Sequence, residues 1–217
     1  MQAGSTVRID VGDAQLEGEL QLVEGGGLVV FVHGSGSSRF SPRNRFVASQ
    51  LRGSGHGTLL LDLLTPEEER VDQVTAMHRF DIPLLARRVS GVLEWLRSRA
   101  ETGDVPVGLF GSSTGAAAAL IAAAERPLDV AAVVSRGGRV DLAHDHLSRV
   151  KAATLLIVGE RDTTVLGLNR SALGMIGAVK RLEVVPGATH LFEEPGALDE
   201  VARLAANWFT LNLKAGK

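Results

Sequence analysis

Apolar positions recur along this chain in two rhythms, and their alternation sets out an architecture. Thr6–Val11 and Leu16–Leu22 alternate apolar with polar residues. That is the period-two pattern of half-exposed strands, and the pair reads as an antiparallel hairpin at a sheet edge. Beyond the turn at Glu24-Gly-Gly-Gly27 the pattern changes. Leu28–His33 is an unbroken apolar run up to its histidine, as in a strand with helices over both faces. Thr58–Leu64 reads as the next buried strand, and Val105–Phe110, Val130–Ser135, Thr154–Gly159 and Arg181–Pro186 read as further strands.

Between these runs the period lengthens toward that of a helix. Pro42–Leu51 has Ser41 as N-cap, Pro42 at its first position and Gly53 just past its end. Ile82–Arg99 follows Asp81 as cap and aligns Leu85, Val89, Val92, Leu93 and Leu96 on one face. Ala116–Ala124 is alanine-rich and helical by propensity. A further helix is expected over Val165–Ile176, and a last one from about Pro195, with Leu198, Val201, Leu204, Ala205 and Trp208 on one side. Thr65-Pro-Glu-Glu68 has the form of a capping box, so Glu67–Arg70 reads as an exposed first turn rather than an acidic site. Strands alternating with helices imply right-handed crossovers and a mostly parallel sheet covered on both faces, an α/β fold in one domain over residues 1–217.

The chemistry gathers where strands end. Gly111-Ser-Ser-Thr-Gly115 joins an apolar strand directly to the alanine helix, with Ser113 at the centre of a G-x-S-x-G frame. A serine on such a sharp turn projects its hydroxyl, and small residues two before and two after let strand and helix approach closely. The N–H of Thr114 then lies at a helix N-terminus, suited to a developing oxyanion. Downstream, Ile157–Asp162 carries an acid past a strand end, and Val184–His190 carries a histidine past the next. The order Ser113, Asp162, His190 is that of α/β-hydrolases and differs from the other two common serine-triad arrangements. Each residue also has a plainer reading: Ser113 as a helix cap, Asp162 as a loop carboxylate with Glu160 competing for its role, His190 as a surface histidine.

With these residues in view, the chain resembles the dienelactone hydrolase-like group of α/β-hydrolases, small esterase-type proteins sometimes joined to phosphoribosyltransferase-like domains. His33-Gly-Ser-Gly-Ser-Ser-Arg39, Gly111–Gly115, Gly159-Glu-Arg-Asp162 and Gly187-Ala-Thr-His190 carry the resemblance, and the strand and helix order agrees from about Leu28 onward. The resemblance implies Ser113 as nucleophile, His190 as general base and then acid, and Asp162 as the group that orients the imidazole. It implies an oxyanion hole from the backbone N–H groups of Ser35 and Thr114, with His33 a structural residue of that loop. Dienelactone hydrolases proper use cysteine where this chain has serine, so ordinary ester chemistry is expected in place of dienelactone cleavage.

Composition narrows the field. The 217 residues carry 23 Lys+Arg against 25 Asp+Glu and no cysteine. There is no thiol nucleophile, thiolate metal site or disulfide framework. No basic block argues for nucleic acid, no cationic amphipathic helix for a membrane surface, and no apolar run approaches a bilayer span. The N-terminus lacks the charged and apolar regions of a signal peptide, so a cytoplasmic protein, monomer or homodimer, is expected, acting on a small-molecule ester without a cofactor. His144-Asp-His146 lacks a third ligand, so no metal site is expected. The Gly34–Ser38 loop lacks the residues of a P-loop or dinucleotide fingerprint. His56 and His78 fall at no strand end that faces Ser113. Arg39, in the oxyanion loop, and Arg136 or Arg139, after the strand next to the nucleophile strand, are candidates to select acidic substrates. The stretch from Arg136 to Ala153 is too short for a cap domain and holds one short helix. An open cleft, short-chain water-soluble esters and no interfacial activation are the expectations.

Overall fold

The computed structural model describes residues 4–214. Its single sheet runs β1 (Ser5–Asp10), β2 (Gln15–Gln21), β4 (Gly57–Leu61), β3 (Leu28–Val32), β5 (Val107–Ser112), β6 (Ala132–Arg136), β7 (Ala153–Gly159), β8 (Lys180–Val185). The first two strands form the expected antiparallel hairpin, β2 pairs antiparallel with β4, and every pairing from β4 to β8 is parallel.

Both faces of the inner parallel strands are covered, which is why β3, β4 and β5 are so largely apolar, while β8, at the edge, keeps Lys180 and Arg181 exposed. In β3, Val29 and Phe31 point to one side while Leu28, Val30 and Val32 point to the other. The first side packs on α1 (Pro42–Gly53) and α6 (Ala197–Asn212), with the Phe31 and Phe110 rings 5.0 Å apart between their centroids. The second packs on α3 (Ile82–Arg97) and α4 (Thr114–Glu125). In α4 every residue from Thr114 to Ala124 is buried. Alanine is small enough to bring the helix axis close to β5, and Gly111 closes the gap: a Cβ there would stand 2.4 Å from Ala116 Cα.

Local signals hold at several helix starts. Ser41 Oγ accepts from Asn44 N–H, Asp81 Oδ1 from Leu84 N–H, and both halves of the Thr65–Glu68 capping box are present. Most boundaries shift by one or two residues, and three elements differ in a way that has a visible cause or extent. β4 stops at Leu61, three residues short of the apolar run, because the next residues serve the neighbouring loops. Asp62 N–H donates to Glu17 O, Leu63 N–H donates to His33 Nε2, and the Asp62 carboxylate accepts Arg39 N–H. The helix expected over 165–176 is α5 (Thr163–Leu173). The exposed turn expected at Glu67–Arg70 extends into a whole helix, α2 (Pro66–Thr75), which buries only Asp72 and so shows no apolar face to read. The gap between β6 and β7 is filled by a 3₁₀ helix, Val140–Arg149, with no cap above the sheet. No helix among the described residues is long and apolar enough to cross a membrane.

Candidate active site

Ser113 sits between β5 and α4 with φ 50° and ψ −123°, a backbone conformation that costs a non-glycine residue about 1–3 kcal/mol. The surroundings impose it. Ser113 N–H donates to Arg136 O at 3.1 Å, and Ser113 O accepts from Ala116 N–H at 3.1 Å and Arg139 N–H at 3.0 Å. Gly115 lies so near β3 that a Cβ would stand 2.3 Å from Val32 O and 2.4 Å from His33 O. The two glycines of the frame are therefore there for proximity, and the turn they permit exposes the serine. Its Oγ makes no hydrogen bond among the described residues.

Asp162 stands at the N-cap position of α5, yet its side chain caps nothing. It goes to His190 instead, Oδ2 to Nδ1 at 2.6 Å. A carboxylate can only accept, so Nδ1 carries the proton and Nε2 is left as the basic nitrogen. Giving up the cap forgoes about 1 kcal/mol of helix stability. The sequence alternative, Glu160, is occupied elsewhere: its Oε2 accepts Gly187 N–H at 2.7 Å and pins the start of the histidine loop. That loop is fixed further by Phe192, fully buried at φ 55°, and by Glu194 Oε1, which accepts Thr189 N–H at 3.1 Å.

Gly137 ties the two halves together. A Cβ on it would lie 3.3 Å from His190 Cε1 and Nδ1, while its neighbours Arg136 and Arg139 hold the Ser113 backbone. The serine turn and the histidine thus meet at one segment, 136–139, and the acid joins them through its bond to His190. Periodicity gave no hint of Gly137's place; the only signal was the Gly-Gly pair after a strand end.

The loop after β3, expected to supply an oxyanion donor, is built as a close-packed bend. Thr114 N–H lies in the first turn of α4, where backbone donors lack intrahelical acceptors. Ser35 N–H is engaged, donating to Thr114 Oγ1 at 2.9 Å. His33 behaves as a structural residue: Nε2 accepts Leu63 N–H at 3.1 Å and Nδ1 pairs with Gly34 O at 3.0 Å. Burial, outweighing its hydrogen bond to Gly34, holds its pKa below the ordinary histidine value. Beside the loop lies a cavity of about 330 Å³ lined by His33, Ser37, Ser38, Arg39, Asp62 and Leu64, among others, a size that suits a small ligand.

Two of the candidate arginines are committed to carboxylates. Arg39, expected as a reader of substrate anions, is ion-paired with Asp62 and, at 2.7 Å, with Glu17. Its guanidinium also lies 4.4 Å from the Phe40 ring centroid, and with two carboxylates against it the charge is balanced. Arg139 pairs with both oxygens of Asp141, at 2.9 and 2.8 Å. Arg136 has no such partner. His144 pairs with neighbouring Asp145 and His146 approaches Glu125, and among the described residues no group of three such side chains gathers as metal ligands would. His56 is buried against Thr210.

Fold, strand order and the strained serine turn define an α/β-hydrolase, and residues 27–189 match the family described as alpha/beta hydrolase fold. The chain belongs to that family, in its dienelactone hydrolase-like group. A dienelactone hydrolase from Anabaena variabilis is 54% identical, with 97% of this chain and 98% of that one superposed at a TM-score of 0.96. A Mycobacterium tuberculosis protein provisionally named a phosphoribosyl transferase, found in two strains, is 56% identical over 204 residues. That match takes in 94% of this chain and 45% of the relative, so the chain spans about half the length of the curated proteins it resembles. A monoacylglycerol lipase from Paleococcus ferrophilus shares the fold at 18% identity and a TM-score of 0.71, over 91% of this chain and 99% of its own.

Proposed function

We propose that this chain is a serine hydrolase that cleaves small carboxylic esters through an acyl-enzyme on Ser113. The observation that carries the reading is the Asp162–His190 hydrogen bond, which leaves Nε2 free on a ring lying against Gly137, next to the residue whose carbonyl holds Ser113 N–H. In this mechanism Ser113 Oγ attacks the ester carbonyl and passes its proton to His190 Nε2. The tetrahedral oxyanion is held by the N–H groups of Thr114 and Ser35, the latter released from Thr114 Oγ1. Collapse breaks the bond to the alcohol, which leaves with the proton from His190. Water then repeats the sequence, freeing the acid and restoring Ser113. Asp162 keeps the tautomer and stabilises the imidazolium.

The dienelactone hydrolase name of the 54% identical structure supports hydrolysis of an ester linkage. Serine as nucleophile supports ordinary esters over dienelactone. The transferase name belongs to proteins more than twice as long, and the strained serine turn with its Asp–His pair lies in the matched half. The short connection between β6 and β7, a single 3₁₀ helix, supports short-chain, water-soluble substrates.

A fluorophosphonate probe tests the reading directly. Stoichiometric labelling of the wild type that Ser113→Ala abolishes is the expected result, together with turnover of p-nitrophenyl acetate or butyrate. A folded wild-type protein that resists the probe would refute the catalytic reading and favour a binding protein on this scaffold. Labelling without ester turnover would instead point to thioester, lactone or acyl-transfer chemistry on the same serine.

A further inference from the structure

Arg136 is the last residue of β6, aligned in register with Ser112 of the nucleophile strand. Its carbonyl holds Ser113 N–H, and the next residue, Gly137, lies against the His190 ring. Alternation along β6 sends its side chain to the α1 and α6 side, as for Ala132 and Val134. There the guanidinium stands 6.0 Å from the Phe192 ring centroid, two residues beyond the histidine.

What distinguishes Arg136 is the lack of any counter-charge. It is 8% exposed, its Nε and Nη1 are buried without a hydrogen-bond partner, and no carboxylate lies within ion-pair reach among the described residues. Arg39, Arg79, Arg88 and Arg139 all have acidic partners. The charged side chain that faces Arg136 is another cation, Arg43, at the start of α1. Arg43 gives Nη1 to Glu193 at 2.9 Å, while its Nε is buried and unpartnered too. Burial first, then Arg43, brings the Arg136 pKa down to about 10, which leaves it a cation at neutral pH. A buried guanidinium without a partner is strongly unfavourable, and an arriving anion would relieve it.

We propose that Arg136, reinforced by Arg43 and the positive end of α1, is a subsite for a carboxylate carried by the ester substrate. The proposal rests on the ester-hydrolase reading and names the substrate class for it: monoesters of dicarboxylic acids, or esters of hydroxy acids. In the cavity beside the loop after β3, Glu17, Asp62 and Glu69 outnumber Arg39, so a carboxylate is disfavoured there. Toward β6 and the histidine loop lies the unpaired guanidinium, whose fork geometry suits a carboxylate.

The test compares two ester pairs that differ only by a charge. One is the p-nitrophenyl monoester of glutaric acid against its methyl-capped form; the other is 4-butyryloxybenzoate against its methyl ester. Wild type should favour the carboxylate member of at least one pair by about tenfold to a hundredfold in kcat/KM, as charged hydrogen bonds predict, and Arg136→Met should bring that ratio close to one. No preference in either pair, or a preference that survives in Arg136→Met, overturns the proposal. A binding measurement separates this from failure of the underlying reading. Free glutarate should raise the thermal midpoint of wild type and leave that of Arg136→Met unmoved, whether or not the protein turns over esters. The variant without ligand should be at least as stable as wild type, since it loses an unpaired buried charge; a marked fall would assign Arg136 a structural role instead.

Discussion

Gly34 is where the proposed mechanism meets the tightest space. A methyl group added there would stand 2.8 Å from Ser112 O and 3.0 Å from Ser113 Cβ, against ordinary contacts that begin near 3.4 Å. Neither neighbour is the tip of a flexible side chain: one is main chain, the other the first atom of the nucleophile. In Gly34→Ala, then, either the oxyanion loop retreats or the serine turn does, by roughly half an ångström at van der Waals contact. Both adjustments change the distance between the attacking oxygen and the Ser35 N–H. Misplacement by 1 Å costs about a hundredfold and loss of one oxyanion donor about 10²–10³, so kcat should fall roughly tenfold to a hundredfold. Overpacking of this kind costs about 1–3 kcal/mol, or about 2–4 °C of melting temperature per kcal/mol for a chain of this size. The assay is kcat and KM on p-nitrophenyl butyrate with the melting temperature measured alongside. Gly53→Ala, where an added methyl meets nothing within 4 Å, is the control. A folded Gly34→Ala enzyme with wild-type kcat would show that the loop does not set the geometry of attack.

Other outcomes follow from the same geometry. Asp162→Asn should lower kcat by about 10⁴ through the wrong histidine tautomer and shift the melting temperature little, since the Asp162 side chain caps no helix; a loss of less than tenfold would remove Asp162 from the mechanism. His33 is held neutral by burial, with its folded pKa below the unfolded one. Unfolding therefore takes up a proton at this residue below about pH 6.5, so its contribution is complete above that pH and fades as pH falls toward the folded value, by at most about 1.4 kcal/mol per pH unit. Denaturation midpoints at pH 7 and pH 5 should therefore differ more for wild type than for His33→Asn, and equal differences would contradict the assignment. With no cap over the cleft, specific activity on a long-chain ester should show no jump above its solubility limit; a jump would imply a lid.

The succession of strands and helices and the covering of the sheet on both sides were legible because the inner parallel strands are apolar on both faces, and Leu28–Val32 or Val133–Val134 could be little else. The serine turn was legible too, since Gly111 and Gly115 are required by contacts that any Cβ would violate. Electrostatic commitments were not. Nothing in the order of residues said that Arg39 would be neutralised by Glu17 and Asp62, side chains from two other strands' surroundings, while Arg136 would be left without a counter-charge. α2 escaped as an extended helix for a related reason: it lies outside the core, with Val71 and Val74 exposed, so its residues follow no burial rhythm.

In the proposed mechanism, the 2.9 Å contact between Ser35 and the Thr114 hydroxyl means that one of the two amides assigned to the oxyanion is already occupied when the site stands idle. A carbonyl oxygen entering the site competes with an internal rival for that amide, so part of each binding event is an exchange rather than a gain. Neutral ground-state oxygens win such a contest poorly and anionic ones win it well. The rival hydroxyl therefore acts as a filter, and the site yields its second donor chiefly once charge has begun to build.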